Sequence, residues 1–414
     1  MLQKIKQAKL KVPSFPKFKI PSVKFHLNKK NGRVIYLAPL VILLVITTLI
    51  YKNNLRLESD SQAITKEKND LRNDLADLQK KYDDLKNEDQ IVRNNNLADE
   101  INNIHDTYKQ AVTVYESLLS FKDKTKDTAK LDDAFSNILT LLSQRNYTEA
   151  EDKLNTLSSD IKKKNDEIDA SFKIPASVTE SNSPPSSGYQ SQKVTTDTGS
   201  FMVSIISADT GSTKVIVDTA SDSDCGNECP VLSLADYVSR NGAYAGINGT
   251  YFCPASYPSC AGKTNSYDLL VMNHKKTYFN SGNNVYSTNP AVIFGDGYVR
   301  FVSHASEWGR DTSPNGVLSN YPLLVQNSNI VFTGDGDPKH NNRGGRSFVG
   351  NIGNTVYIGV VFSSTVMDSA KVMKTLGFEN AMNLDDGGST ALWSGGYKAG
   401  PGRNIPNAIL FVKK

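Results

Sequence analysis

The sequence predicts an α+β protein: a mixed α/β C-terminal domain with a β-sheet core, preceded by a transmembrane helix and an all-α coiled-coil and helical-hairpin stalk. Three observations carry this reading. Positions 34–51 hold 18 residues without a charge; no proline falls between positions 40 and 174 and no glycine between 33 and 187; and 27 of the 28 glycines, with both tryptophans, lie from Gly188 onward. Loops rarely dispense with both glycine and proline, so the central part is helical. The Gly-rich remainder, with short β-branched runs between turn residues, is strand and turn.

Residues 1–33 form a basic tail with ten Lys/Arg and no Asp or Glu, so the formal charge of +4 hides a body of net −6. A weakly acidic body lacks the basic face that nucleic acid requires, and no nucleic-acid partner is expected. Anionic lipid is the nearer partner for the tail. Residues 34–51 would span about 27 Å as a helix, close to the thickness of a bilayer core. Lys29, Lys30 and Arg33 precede this run. The positive-inside rule then predicts a single-pass protein of the cell membrane, with a cytoplasmic N-terminus and an extracellular C-terminal domain. A cleaved signal peptide is the rival reading. Against it, the apolar run is long and leads into Tyr51-Lys52-Asn53-Asn54 with no small-x-small cleavage site.

The stalk covers residues 52–170. Leu57, Ile64, Leu71, Leu78 and Leu85 recur every seven residues, with Leu75 and Tyr82 at alternate seam positions. This short heptad array predicts a homodimer through the stalk, with a monomeric spacer as the alternative. Ser61, Lys68 and Asp89 interrupt the seam. Leu97, Ile101, Ile104, Tyr108, Val112, Tyr115 and Leu119 make a second stripe. After a polar turn near Lys122–Lys130, helices over 131–144 and 148–170, broken at Arg145-Asn146-Tyr147, form a hairpin or small bundle that packs on itself. Residues 171–194 read as a Ser/Pro linker centred on Pro184-Pro185.

The domain over 195–414 shows β-branched runs at 201–207, 214–218, 291–294, 329–332 and 355–362. Helices are expected near 366–376, capped from Ser363–Thr365 and stopped at Gly377, and over Leu232–Arg240. All four cysteines fall here. Cys225, Cys229, Cys253 and Cys260 suit disulfides in an oxidising compartment. Three pairings are possible, of which 225–229 with 253–260 is the local one; a four-thiolate zinc site is the rival.

Three segments could carry chemistry: Gly246–Phe252, with a polar Asn-Gly-Thr turn; Arg343–Gly350, with two guanidinium groups; and Met382–Thr390, where a strand runs into paired carboxylates and a Gly-Gly-Ser-Thr turn. Glycines let a backbone approach a ligand closely, and their N–H groups with Ser/Thr hydroxyls can cradle an anionic oxygen. A carboxylate beside such a nest is placed for nucleophilic or base chemistry. Arg346 could fork a phosphate. The bland alternative is a loop in which Asp385 caps backbone amides and pairs with Arg346.

In order, Asn-Gly-Thr-Tyr-Phe, Arg-Ser-x-Val-Gly and Asn-Leu-Asp-x-Gly-Gly-Ser-Thr resemble the phosphodiester glycosidase family, which includes the enzyme that uncovers mannose 6-phosphate and many bacterial exopolysaccharide-associated proteins. Gly402–Ala408 is similar to the family's closing Gly-Arg…Pro-Asn stretch. The resemblance covers about 195–414. It implies a hydrolase that cleaves a sugar–phosphate diester at the glycosidic bond, leaving a phosphomonoester. On this reading Asp385 is nucleophile or base, Arg346 clamps phosphate and Asn248 orients the substrate. Thr250, Asp386, Gly387, Gly388, Ser389, Thr390 and Arg403 complete the substrate site. Asp386 stands where the family usually has a glycine and Thr250 where it often has one. Asp386 would repel phosphate unless it turns away or binds a cation.

No cofactor is expected, with a divalent cation such as calcium left open. Asp335-Gly336-Asp337 could open a calcium loop, but the later ligands are missing and a turn is the simpler reading. His274, His304 and His340 show no metal-ligand spacing. The expected function is a membrane-anchored hydrolase of sugar-1-phosphodiesters, with a phosphorylated glycan or cell-envelope polymer as partner. Its rivals are an inactive carbohydrate- or phosphate-binding module and a structural coiled-coil protein.

Overall fold

The computed structural model describes residues 37–87 and 89–414. The basic tail and the first three positions of the apolar run lie outside them. Four helices come first: α1 (Leu37–Lys86), α2 (Asp89–Lys122), α3 (Ala129–Ser143) and α4 (Tyr147–Ser171). The chain divides into two compact units at Leu97/Ala98. In the first, the N-terminal end of α1 is long and apolar enough to cross a membrane. Farther along α1 the heptad positions Leu57, Ile64, Leu71, Leu78 and Leu85 are 58–66 % exposed among the described residues.

In the second unit the end of α2 packs with α3 and α4. Ala111, Val114, Leu118 and Phe121 recur at helical spacing and meet Leu131, Ile138 and Leu142 of α3 and Leu154, Leu157 and Ile161 of α4. The expected break at 145–147 is a left-handed Arg145 followed by Asn146, whose side chain caps α4 by accepting from Glu149 N–H. The bundle therefore has its own core. It also docks onto the C-terminal domain, a contact the sequence reading did not foresee.

The strands begin at Gly188, inside the stretch read as linker. Gly188–Thr196 pairs with Gly199–Asp209 along its whole length, and its buried Gln192 side chain donates to Ser181 and Ser183 carbonyls, tying the preceding segment down. A seven-stranded antiparallel sheet runs in the order Gly188–Thr196, Gly199–Asp209, Thr355–Ser364, Gly344–Ile352, Asn380–Asn383, Leu323–Gln326, Asn329–Ile330. A five-stranded sheet runs Tyr397–Ala399, Leu392–Ser394, Ala245–Asn248, Asn407–Lys413, Thr213–Thr219. A third, of five short strands, is centred on Gly316–Ser319.

Alternation divides each strand of the large sheet between two cores. Ile206, Ile358 and Val360 face the other sheets, meeting Val217, Ile247, Ile409 and Leu318. Val203, Ile205 and Phe348 face the helix Val366–Thr375 through Val366, Ala370 and Met373. That helix opens with a reciprocal capping box between Thr365 and Asp368. The helix expected from Leu232 begins at Leu234, because Ser233 caps it by accepting from Asp236 N–H.

Candidate active site

The three motif segments meet where the large sheet and the Ala245–Asn248 strand converge, and Asn248 stitches them together. This side chain is fully buried. Its Nδ2 donates to Asp385 O at 2.7 Å, while its Oδ1 accepts from Ser347 Oγ at 2.9 Å and Ala391 N at 3.0 Å. Asp385 N–H donates to Gly249 O at 2.9 Å. Asn248, expected to orient a substrate, thus spends its amide on backbone and hydroxyl groups of the protein. Thr250 is also inward, donating from Oγ1 to Ser319 O and from its backbone N–H to Asn407 Oδ1.

Arg346 and Asp386 are bonded to each other and to the protein. The phosphate fork expected of Arg346 is committed elsewhere: Nε donates to Ser364 O, Nη1 to Asp386 Oδ2 at 2.9 Å, and Nη2 to Lys339 O and Asn342 O. An arginine has five N–H groups, so little remains for a ligand. Asp386, expected at the substrate, turns into the protein. It accepts from Arg346, from Ser347 N at 3.0 Å and from Asn383 Nδ2 at 2.8 Å. The pairing neutralises the Asp386 carboxylate.

Asp385 remains as the free acid. It leaves the end of strand Asn380–Asn383 and is 9 % exposed. Its Oδ1 accepts from Asp386 N at 2.9 Å. Burial pushes its carboxyl up to about 7, against the pull of a Ser389 hydrogen bond and the Arg403 charge; the Asp386 charge adds to the rise. Beside it, Gly387–Ser389 forms one turn of 3-10 helix, with Gly387 at φ +60°. A Cβ on Gly388 would overlap the side chains of Arg403 and Asp123. Thr390 closes the turn by donating to Gly345 O.

Arg403 is held by its own backbone, which donates to Gly388 O at 2.7 Å. Its guanidinium lies over the Tyr257 ring, 5.3 Å from the centroid, and pairs with Asp123 Oδ2 at 2.6 Å. Of the expected charge-binding arginines, this is the one at the glycine turn.

Two residues at the site were not singled out in the sequence. Tyr251 is half-buried, and its hydroxyl accepts from Asn383 Nδ2 at 3.0 Å. Burial, reinforced by the nearby Asp386 and Asp385 charges, holds this phenol well above its ordinary range, so it stays a proton donor. Its place in Asn-Gly-Thr-Tyr was the available signal. Asp123, just beyond α2, carried none.

The cysteines pair as 225–229 and 253–260, the second bond closing the loop that carries Tyr257. Asp335-Gly336-Asp337 is a turn: Asp335 accepts from Asp337 N–H and pairs with His340, and Asp337 caps the short helix Pro338–Asn341. His304 pairs with Glu307. His274 lies 3.7 Å from Asp218.

Residues 241–412 match the family model described as phosphodiester glycosidase. No curated protein matches the chain. Among solved structures, the catalytic domain of zebrafish N-acetylglucosamine-1-phosphodiester alpha-N-acetylglucosaminidase, auto-inhibited by its pro-peptide, is similar at 16 % identity and TM-score 0.44, over 57 % of this chain and 87 % of that one. A hypothetical protein from Synechocystis is similar at 13 % identity and TM-score 0.41, over 55 % of this chain and 62 % of that one, so the match spans less than two thirds of its length. The residues that match the phosphodiester glycosidase family model hold all three motif segments and the Gly402–Ala408 stretch.

Proposed function

We propose that the chain is a membrane-anchored hydrolase that cleaves sugar-1-phosphodiester bonds on the outer side of the cell membrane, in surface polysaccharides or teichoic-acid-like polymers. The observation that carries this reading is Asp385: a buried carboxyl outside any ion pair among the described residues, beside a glycine turn and an arginine, and raised to about 7. A group titrating near neutrality is suited to take a proton from water attacking the anomeric carbon, or to attack there itself. The departing phosphomonoester is a good leaving group, so the demand on a general acid is small. Arg403 would hold the diester's charge and Tyr251 could donate to a sugar or phosphate oxygen. Arg346, Asp386, Asn248 and Thr250 support the site from behind.

The basic tail, the apolar run and the disulfides support the membrane topology and an oxidising compartment. The exposed heptad seam supports a parallel homodimer through α1. With Leu57, Ile64, Leu71, Leu78 and Leu85 at d positions, Glu67 at g faces Arg72 at e of the partner helix. The binding-module reading drew on Asp386, and the ion pair with Arg346 removes its main argument.

The test is release of reducing sugar from the methyl diester of a hexose 1-phosphate, using full-length protein in detergent. Release that is lost in Asp385→Asn with folding retained supports the hydrolase. If a panel of hexose 1-phosphate diesters binds without turnover, the hydrolase reading fails.

A further inference from the structure

The helical bundle reaches the glycine turn through one side chain. Asp123 follows the last residue of α2, and its Oδ2 lies 2.6 Å from Arg403 Nη2. Its carboxylate also occupies the space that a Gly388 side chain would fill. A carboxylate from the helices therefore rests on the turn beside Asp385, held by an arginine whose charge bears on that acid.

The surrounding contacts are mostly polar, with one ring stack, Phe172 on Phe362, 6.2 Å between centroids. Ser120 Oγ and Tyr257 Oη are 3.2 Å apart, Glu116 accepts from Ser259 N at 2.9 Å, and Lys124 Nζ donates to Arg343 O at 2.9 Å. The buried residues of the bundle core all come from α2, α3 and α4, and none from the sheets. Two bodies with separate cores, joined mainly by polar contacts, can part at low cost.

An arginine facing a glycine backbone is suited to an oxyanion of charge −1, and a carboxylate and a phosphodiester both carry that charge. We propose that Arg403 and Gly388 form the subsite for the anionic phosphodiester, and that the Asp123 carboxylate fills it as an internal stand-in until the bundle undocks. This rests on the glycosidase reading for the identity of the ligand. The anion subsite itself can be tested without turnover. A polymer substrate then competes with the protein's own side chain, and apparent affinity falls by the fraction of time the site is free.

The experiment is calorimetric titration of the full-length protein in detergent with inorganic phosphate near pH 6, where the monoanion predominates. It compares wild type, Asp123→Asn, and Asp123→Asn with Arg403→Gln. Asp123→Asn should bind phosphate about tenfold more tightly if the site is otherwise closed nine-tenths of the time, and the added Arg403→Gln should abolish the gain. A Glu116→Gln/Lys124→Ala variant weakens docking without touching Asp123 and should shift affinity in the same direction. Unchanged affinity in both the Asp123 and docking variants overturns the proposal, as does tight binding that survives loss of Arg403. Arg403-dependent tightening without hydrolysis of any sugar phosphodiester upholds the subsite and defeats the glycosidase reading.

Discussion

Arg346 and Asp386 form an ion pair 2.9 Å long in which both side chains are more than nine-tenths buried. The pair joins the Gly344–Ile352 strand to the acid-bearing loop and gives the Asp386 charge a structural role. Removing one partner strands the other in the interior. Arg346→Ala should cost about 3–5 kcal/mol, read as a lower urea midpoint. Arg346→Met with Asp386→Leu should recover most of that loss. A stable Arg346→Ala with only a raised KM would mean that the guanidinium serves substrate after all.

The pH dependence of Asp385 follows from the direction of its shift. Nucleophile and base both need the ionised form, so kcat/KM should rise with pH and level off above about 7, where the folded-state carboxyl titrates. Asp385→Asn should remove this limb together with the activity.

Stability should move the opposite way. Between the ordinary 3.8 and about 7 the folded protein holds a proton that the unfolded chain has released, so stability falls as pH rises through that window. Above it the ionised Asp385 costs roughly 4 kcal/mol at most. Asp385→Asn keeps an oxygen for Asp386 N–H and should melt higher than wild type at pH 8. The gain should shrink toward pH 4. Equal melting at both pH values would show that the carboxyl is not raised.

The Cys253–Cys260 bond closes the loop that seats Tyr257 under Arg403. Replacing both cysteines by serine should cost about 2.5 kcal/mol from loop entropy, measured by thermal melting. KM should rise more than kcat falls, because the arginine loses its platform.

The α1 seam gives a cross-linking test. Leu71→Cys should form a covalent dimer on mild oxidation of the membrane-embedded protein, while Asn73→Cys, on the outer face of the same turn, should not. Equal cross-linking at both positions would argue for random collision.

Sequence signals were strongest where they were local. Thr365 with Asp368, Ser233 with Asp236, and the Arg145-Asn146 break each lie within one turn of the structure they set. The glycine turn and Asp385 were legible because their chemistry is contiguous. The Arg346–Asp386 pair was not legible because a guanidinium in a Gly-rich strand suits a ligand or an internal acid equally well, and Asp386 lies 40 positions away. A second acid directly after Asp385, needing a partner once buried, was the available clue. The Asp123–Arg403 contact spans 280 positions between segments of unlike composition, and no pattern in either announces the other.

The strand Asn407–Lys413 lies between Ala245–Asn248 and Thr213–Thr219 in the middle of its sheet, and the Asn407 side chain receives Thr250 N–H. Excising Asn407–Lys413 would leave Thr213–Thr219 without its strand partner in that sheet, bare one edge of Ala245–Asn248 and take away the amide that holds the Asn-Gly-Thr turn. Loss of so short a segment would open the interior of a sheet instead of trimming a frayed end.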